Sequence, residues 1–139
     1  MKTIHSLTLL LLIVVSSCMD SSAPRPVAEK FLEAMQERDY EEAAGYGTKE
    51  TGKLLQQLER IEALQPGDQR PSMGKITIVS EEIHGKTATV YFTEEGVAEE
   101  QKISLQKFTE TDGSGKEIKV WKVALRKEEL QLPVVPETE

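Results

Sequence analysis

The feature that most constrains this chain is a change of hydrophobic period at "QPGDQRPSMG", residues 65–74. Before it, apolar residues recur at helical spacing; after it, they alternate with a period of two. In "PVAEKFLEAMQERD", Val27, Phe31, Leu32, Ala34 and Met35 fall near one side of a helix, with Pro26 at the start, where a missing N–H costs little. Asp39 followed by Glu42 has the form of a capping box. It predicts a short second helix that turns Tyr40, Ala43 and Ala44 inward and stops at Gly45 or Gly47. Thr48 is the N-cap expected for a third helix, whose apolar stripe is Leu54, Leu55, Leu58, Ile61 and Leu64, ending before Pro66-Gly67.

Beyond the turn-rich segment, "KITIVSEEI" places Ile76 and Ile78 on one strand face, and "TATVYFTEE" places Ala88, Val90 and Phe92 on one face, with His84-Gly85-Lys86 turning between them. "QKISLQKFTE" is a third strand with Ile103 and Leu105 inward, joined through Asp112-Gly113-Ser114-Gly115 to "KEIKVWKVALRK". In this fourth strand Ile118 and Val120 share one face while Trp121, Val123 and Leu125 share the other. Either both faces are partly covered or a bulge shifts the phase, and Trp121 is the expected core anchor. Helices followed by consecutive antiparallel strands define an α+β domain, with N-terminal helices packed against a four-stranded meander.

The start of the chain belongs to a different class of segment. Lys2 precedes an apolar run from Leu7 to Val15, interrupted by Thr8, which then gives way to Ser16-Ser17-Cys18. A helix crossing the hydrocarbon core needs roughly 20 apolar residues, about twice this run, so the order of basic, apolar and small residues reads as a signal peptide. The string Val15-Ser16-Ser17-Cys18 resembles the lipobox of bacterial lipoproteins, and the resemblance implies cleavage before Cys18, a diacylglyceryl thioether on its sulfur and acylation, typically by palmitate, of the new amino group. Two or more acyl chains give stable anchoring where one binds only marginally. Cys18 is the sole cysteine, so an intramolecular disulfide is excluded and no second thiol stands beside it for metal or redox work.

These boundaries divide the chain into a signal peptide at 1–17, a lipidated cysteine and tether at 18–26, an α+β domain at 27–127, and an acidic, proline-containing tail at 128–139 expected to be loosely held. Removing residues 1–17 leaves about 120 residues, the size of one domain with one core. The net charge of −7 has no basic stripe set against it, which argues against nucleic acid as a partner and against attraction to anionic headgroups.

Taken together, the lipobox, the helical opening "PVAEKFLEAMQERDYEEAAGYGTKETGKLL" and the meander "KITIVSEEIHGKTATVYFTEEG" ending in "VWKVAL" resemble small bacterial lipoproteins with a domain of unknown function of the nuclear transport factor 2-like (cystatin-like) superfamily. The resemblance spans about Cys18 to Arg126. It implies a cone in which a bent sheet wraps the helices and leaves a pocket at its open end, with a small ligand or a protein as the partner. Only Asp20 follows the cysteine closely as an acidic residue, which favours the periplasmic face of the outer membrane over the cell surface.

Enzymes of that superfamily are isomerases or dehydratases that use an aspartate or histidine base and tyrosine or aspartate donors, because enolisation needs a base at the carbon acid and a donor at the developing oxyanion. His5 leaves with the signal, and His84 occupies a hairpin turn. Tyr40, Tyr46, Tyr91, Asp39 and Glu42 carry the right groups but read as packing, strand-face and capping residues. "GSGK" at 113–116 lacks the earlier glycine and the following Ser or Thr of a phosphate loop. The acidic pairs Glu81-Glu82, Glu94-Glu95 and Glu99-Glu100 point to opposite faces near strand ends and lack the alternating oxygen ligands of a calcium loop. The expectation is therefore a non-catalytic domain with no cofactor and no metal, the alternatives being a pocket enzyme of isomerase or dehydratase type and a purely structural envelope lipoprotein.

Overall fold

A computed structural model describes residues 22–67 and 72–130. The signal segment, Cys18, tether residues 19–21 and the tail from residue 131 lie outside the described residues. The elements run α1 (Pro24–Gln36), α2 (Tyr40–Gly45), α3 (Lys49–Ala63), β1 (Ile76–His84), β2 (Thr87–Glu94), β3 (Gln101–Thr111) and β4 (Glu117–Val123). The strands form one antiparallel sheet in the order β1-β2-β3-β4, so the domain is α+β with a meander.

Helix α1 begins at Pro24, two residues earlier than Pro26, because both prolines sit in the first turn, where backbone N–H groups have no helical partner. It buries Val27, Ala28, Phe31, Leu32 and Ala34, and it ends where Arg38 takes a left-handed φ of 57°. The Arg38 N–H then donates to Met35 O and the Asp39 N–H to Ala34 O, which together close a Schellman turn. The same Asp39 starts α2 by accepting from the Glu42 N–H at 3.0 Å. The reciprocal half of the capping box does not form, because the Glu42 carboxylate accepts from the Tyr46 hydroxyl at 3.2 Å instead. Thr48 caps α3 as its sequence position predicts, accepting from the Thr51 N–H at 3.2 Å.

One sheet face carries Ala88, Val90, Phe92, Ile103, Leu105, Trp121 and Val123, and these pack with Val27, Phe31, Leu32, Tyr40, Ala43 and Leu55 into a single core. Full burial of a side chain such as Leu105 or Phe31 contributes about 2 kcal/mol. Trp121 is inside, as anticipated, with the Lys107 ammonium 5.2 Å from its ring centre. The expected choice between two covered faces and a bulge in β4 resolves to the former. The β3–β4 register is continuous from Leu105↔Val123 to Thr111↔Glu117, and Val120 is buried on the opposite face, paired with Phe108.

The register shift lies in β1, between Ile78 and Ser80. It leaves Val79 exposed, and it sets Ile83 opposite Ala88, where Ile83 is still about half exposed. At the end of α3 the stripe also stops short. Leu54 and Leu55 are buried, whereas Leu64 is the C-cap residue past the last full turn and is 87% exposed.

The two-residue β1–β2 connection places Gly85 at φ 61°, where a tight hairpin needs a left-handed residue. In the β3–β4 connection Asp112 Oδ1 accepts from the Ser114 N–H and hydroxyl and from the Lys116 N–H. Those bonds, the Ser114 hydroxyl foremost, hold the Asp112 carboxyl below its ordinary value. "GSGK" is thus a hairpin turn built around the Asp112 carboxylate.

Gly74 fastens the far end of the sheet to the helices. Its N–H donates to Glu94 Oε1 at 3.1 Å and its carbonyl accepts from the Gln36 side-chain amide at the end of α1. A Cβ at this position would lie 2.2 Å from Glu95 O. Gly74→Ala is therefore expected to cost about 2 kcal/mol in urea unfolding, as overpacking against backbone does. Gly45→Ala, at a helical position with open space around its Cβ, is the control expected to keep or raise the midpoint.

Candidate functional site

The start of α3, the sheet and the segment after β4 meet at Thr51, whose side chain is fully buried. Its hydroxyl donates to Val123 O at 2.9 Å, accepts from the Leu125 N–H at 3.0 Å and lies 3.0 Å from the Thr48 hydroxyl. Val123 is held a second time, since its N–H donates to Tyr46 O and its carbonyl accepts from the Thr48 N–H. This arrangement pulls residues 124–126 off the course of β4 and toward α3, while the Ala124 N–H still donates to Ser104 O.

Beside that junction is an open groove of about 560 Å³. Thr48 and Glu50 line it from the start of α3, residues 87–89 from β2, residues 104–106 from β3, and Ala124, Leu125 and Arg126 from the departing chain. The register sets Thr89 opposite Ser104 and Thr87 opposite Gln106, so these polar side chains share a face, while Ala88 and Leu105 between them turn into the core. The Thr87 hydroxyl donates to His84 O at 3.1 Å. Glu50 and Arg126 supply the formal charges of the lining, and among the described residues neither side chain is in an ion pair.

The residues singled out in the sequence fall elsewhere and apart. His84 is exposed in the β1–β2 hairpin with Nε2 3.9 Å from Glu82 Oε2. Tyr91 donates to Glu82 at 3.3 Å on the exposed side of β2. Asp39 caps α2, and Tyr46 and Glu42 bond to each other. Among the described residues no group of three or more histidines, cysteines, aspartates or glutamates is placed to hold a metal. Glu94 holds the Gly74 N–H and the Gln101 amide, while Glu81, Glu82, Glu95, Glu99 and Glu100 are exposed. Sequence reasoning missed Thr51 and the groove. A threonine one turn into a helix gives no sign that its hydroxyl is an acceptor for Leu125, and alternating polar strand positions look the same whether they line a groove or face open water.

Tyr40 is the most perturbed titratable group of the described domain, and its role is to close α2 onto α3. The nearly buried ring sends its hydroxyl to Glu62 Oε2 near the end of α3. Burial first, and the Glu62 carboxylate second, raise its ionisation above the ordinary value of 10.0. The unfolded chain ionises near that ordinary value while the folded chain resists. This contribution is therefore full below pH about 10 and is lost as pH rises through the raised folded value. Tyr40→Phe is expected to cost about 1 kcal/mol at pH 7. It should also flatten part of the fall in stability above pH about 10, measured by urea unfolding across pH 7 to about 11.

Comparisons with protein-family models, with curated protein sequences and with solved structures found no match to this chain.

Proposed function

We propose that this protein is a lipid-anchored lipoprotein of the bacterial cell envelope, held by acyl chains on Cys18, whose small α+β domain is a non-catalytic binding module. Residues 1–17 are the signal peptide, 18–26 the lipidated cysteine and tether, whose last three residues, Pro24 to Pro26, already form the first turn of α1, 27–127 the rest of the folded domain, and 128–139 the tail, which opens within a 3₁₀ turn at Lys127–Leu130. The observation that carries the reading is the string Val15-Ser16-Ser17-Cys18 set directly before a folded domain whose first helix begins at Pro24. So short a connection keeps the domain beside the bilayer, since each extended residue spans at most about 3.6 Å. The outer membrane, facing the periplasm, is the proposed location.

Helices followed by a four-stranded antiparallel meander are compatible with the nuclear transport factor 2-like cone, which is part of the proposal. Within the described domain the space between helices and sheet is taken up by Phe31, Leu55, Leu105 and Trp121. The buried polar side chains there are Thr48 and Thr51, both engaged in the junction of α3 with β4. The described carboxylates are exposed or half-buried. A base acting on a carbon acid at neutral pH needs a desolvated position to raise its pKa, so this distribution supports a binding role over an isomerase or dehydratase. The open groove beside Thr51 is the proposed binding site.

Native mass spectrometry of the detergent-released full-length protein tests the binding role. A bound small molecule, either co-purified or captured from a periplasmic extract, is the expected result. A clean unliganded mass under both conditions contradicts it.

A further inference from the structure

We infer that the groove beside Thr51 takes a small zwitterion, an amino acid or short peptide with free ammonium and carboxylate groups; the inference rests on the proposal that this groove is the binding site.

Its lining sets a carboxylate, Glu50, and a guanidinium, Arg126, on two different elements, α3 and the segment after β4. They are further apart than an ion pair, and among the described residues neither is neutralised by a partner of its own. A ligand with a single charge would satisfy one group and face the other as a like charge. A ligand carrying both signs satisfies both, and charge-assisted hydrogen bonds to guanidinium and carboxylate are the strong ones. The Glu129 carboxylate, three residues on from Arg126, is already bonded to the Arg126 backbone N–H at 3.2 Å. The strand wall supplies hydroxyls and an amide from Thr89, Ser104 and Gln106, which both donate and accept and so suit the peptide or polar side-chain groups of such a ligand rather than an aliphatic one. The volume, about 560 Å³, lies within the range of small-molecule sites.

The test is a ¹⁵N–¹H NMR titration of the full-length protein in a nonionic polyoxyethylene detergent. The probes are L-glutamine, the dipeptide glycylglycine, N-acetyl-glutamine amide as the uncharged analogue, and sucrose as a neutral polyol. The expected result is saturable shifts at residues 48–50, 87–89, 104–106 and 124–126 with glutamine or glycylglycine. The capped analogue should bind at least tenfold more weakly. Arg126→Gln and Glu50→Gln, both exposed and expected to leave the spectrum of the fold intact, should each weaken binding about tenfold. Zwitterion shifts elsewhere, or unaltered by both variants, overturn the inference. Shifts with sucrose or the capped analogue but not with the zwitterions overturn the ligand class while leaving the groove as a binding site. No shift with any probe also overturns the ligand class, and the mass-spectrometric capture experiment then decides the broader binding role independently.

Discussion

On the proposed anchoring, Cys18→Ala is expected to move the protein from the membrane fraction to the soluble envelope fraction. On the proposed reading the Cys18 thiol is the atom to which the diacylglyceryl group is joined, so its removal removes the anchor. The size of the effect follows from the physics of the anchor. Each buried methylene contributes about 0.8 kcal/mol, so two or three acyl chains hold a protein of this size without help from its surface. The surface offers little help here, because the chain's net charge is −7 and anionic headgroups repel it. Among the described residues no helix is long and apolar enough to cross a membrane. Fractionation with a high-salt wash checks the prediction, and retention of the variant in the washed membranes would sink it.

The second large effect is expected from Thr51→Val, which keeps the shape of the side chain and removes its hydroxyl. Val123 O then loses a buried donor, the Leu125 N–H loses its acceptor, and Thr48 loses a neighbour at 3.0 Å. Val123 O keeps the Thr48 N–H, so the Leu125 N–H is the group left most exposed to the penalty. Leaving buried polar groups unmatched costs about 1–3 kcal/mol each, and the summed loss is expected to be about 3 kcal/mol in urea unfolding. Thr51→Ser keeps the three bonds and is expected to cost about 1 kcal/mol for the lost methyl. The methyl itself has a neighbour to report on it, because a Cβ on Gly47 would lie 2.6 Å from Thr51 Cγ2. Gly47→Ala is therefore expected to be less damaging in the Thr51→Ser background than alone, a coupling that a double-mutant cycle reads directly. Additive costs would mean that Thr51 does not pack against Gly47 in solution.

Much of this architecture is legible in the residues, and the places where it is not share a cause. Helix starts at Asp39 and Thr48 and the turns at Gly85 and Asp112 are local devices, in which the residue that signals the turn is also the one that makes it. Trp121 and the alternation of Ala88, Val90 and Phe92 are legible because one face of a sheet must be apolar. The bulge at Val79 is not, because "ITIVSEEI" alternates poorly and the shift is set by which residues β2 offers opposite. Leu64 reads as core because a helical stripe does not mark where its helix stops being covered. Thr51 and Gly74 escape notice because their partners lie far along the chain: Val123 and Leu125 for Thr51, and Glu94, Glu95 and Gln36 for Gly74. The groove is invisible for the same reason. Glu50, Thr89, Ser104 and Arg126 come from four segments, and only the fold brings them to one wall.

On the proposed reading the protein begins, in its working form, at an acylated Cys18. The intact mass of the protein extracted from native membranes tests it most directly. The expected mass is that of a chain that has lost residues 1–17 and gained a diacylglyceryl group and one further acyl chain, with both modifications on the N-terminal peptide that starts at Cys18. An unmodified Cys18, or a mature N-terminus at any other residue, would contradict it.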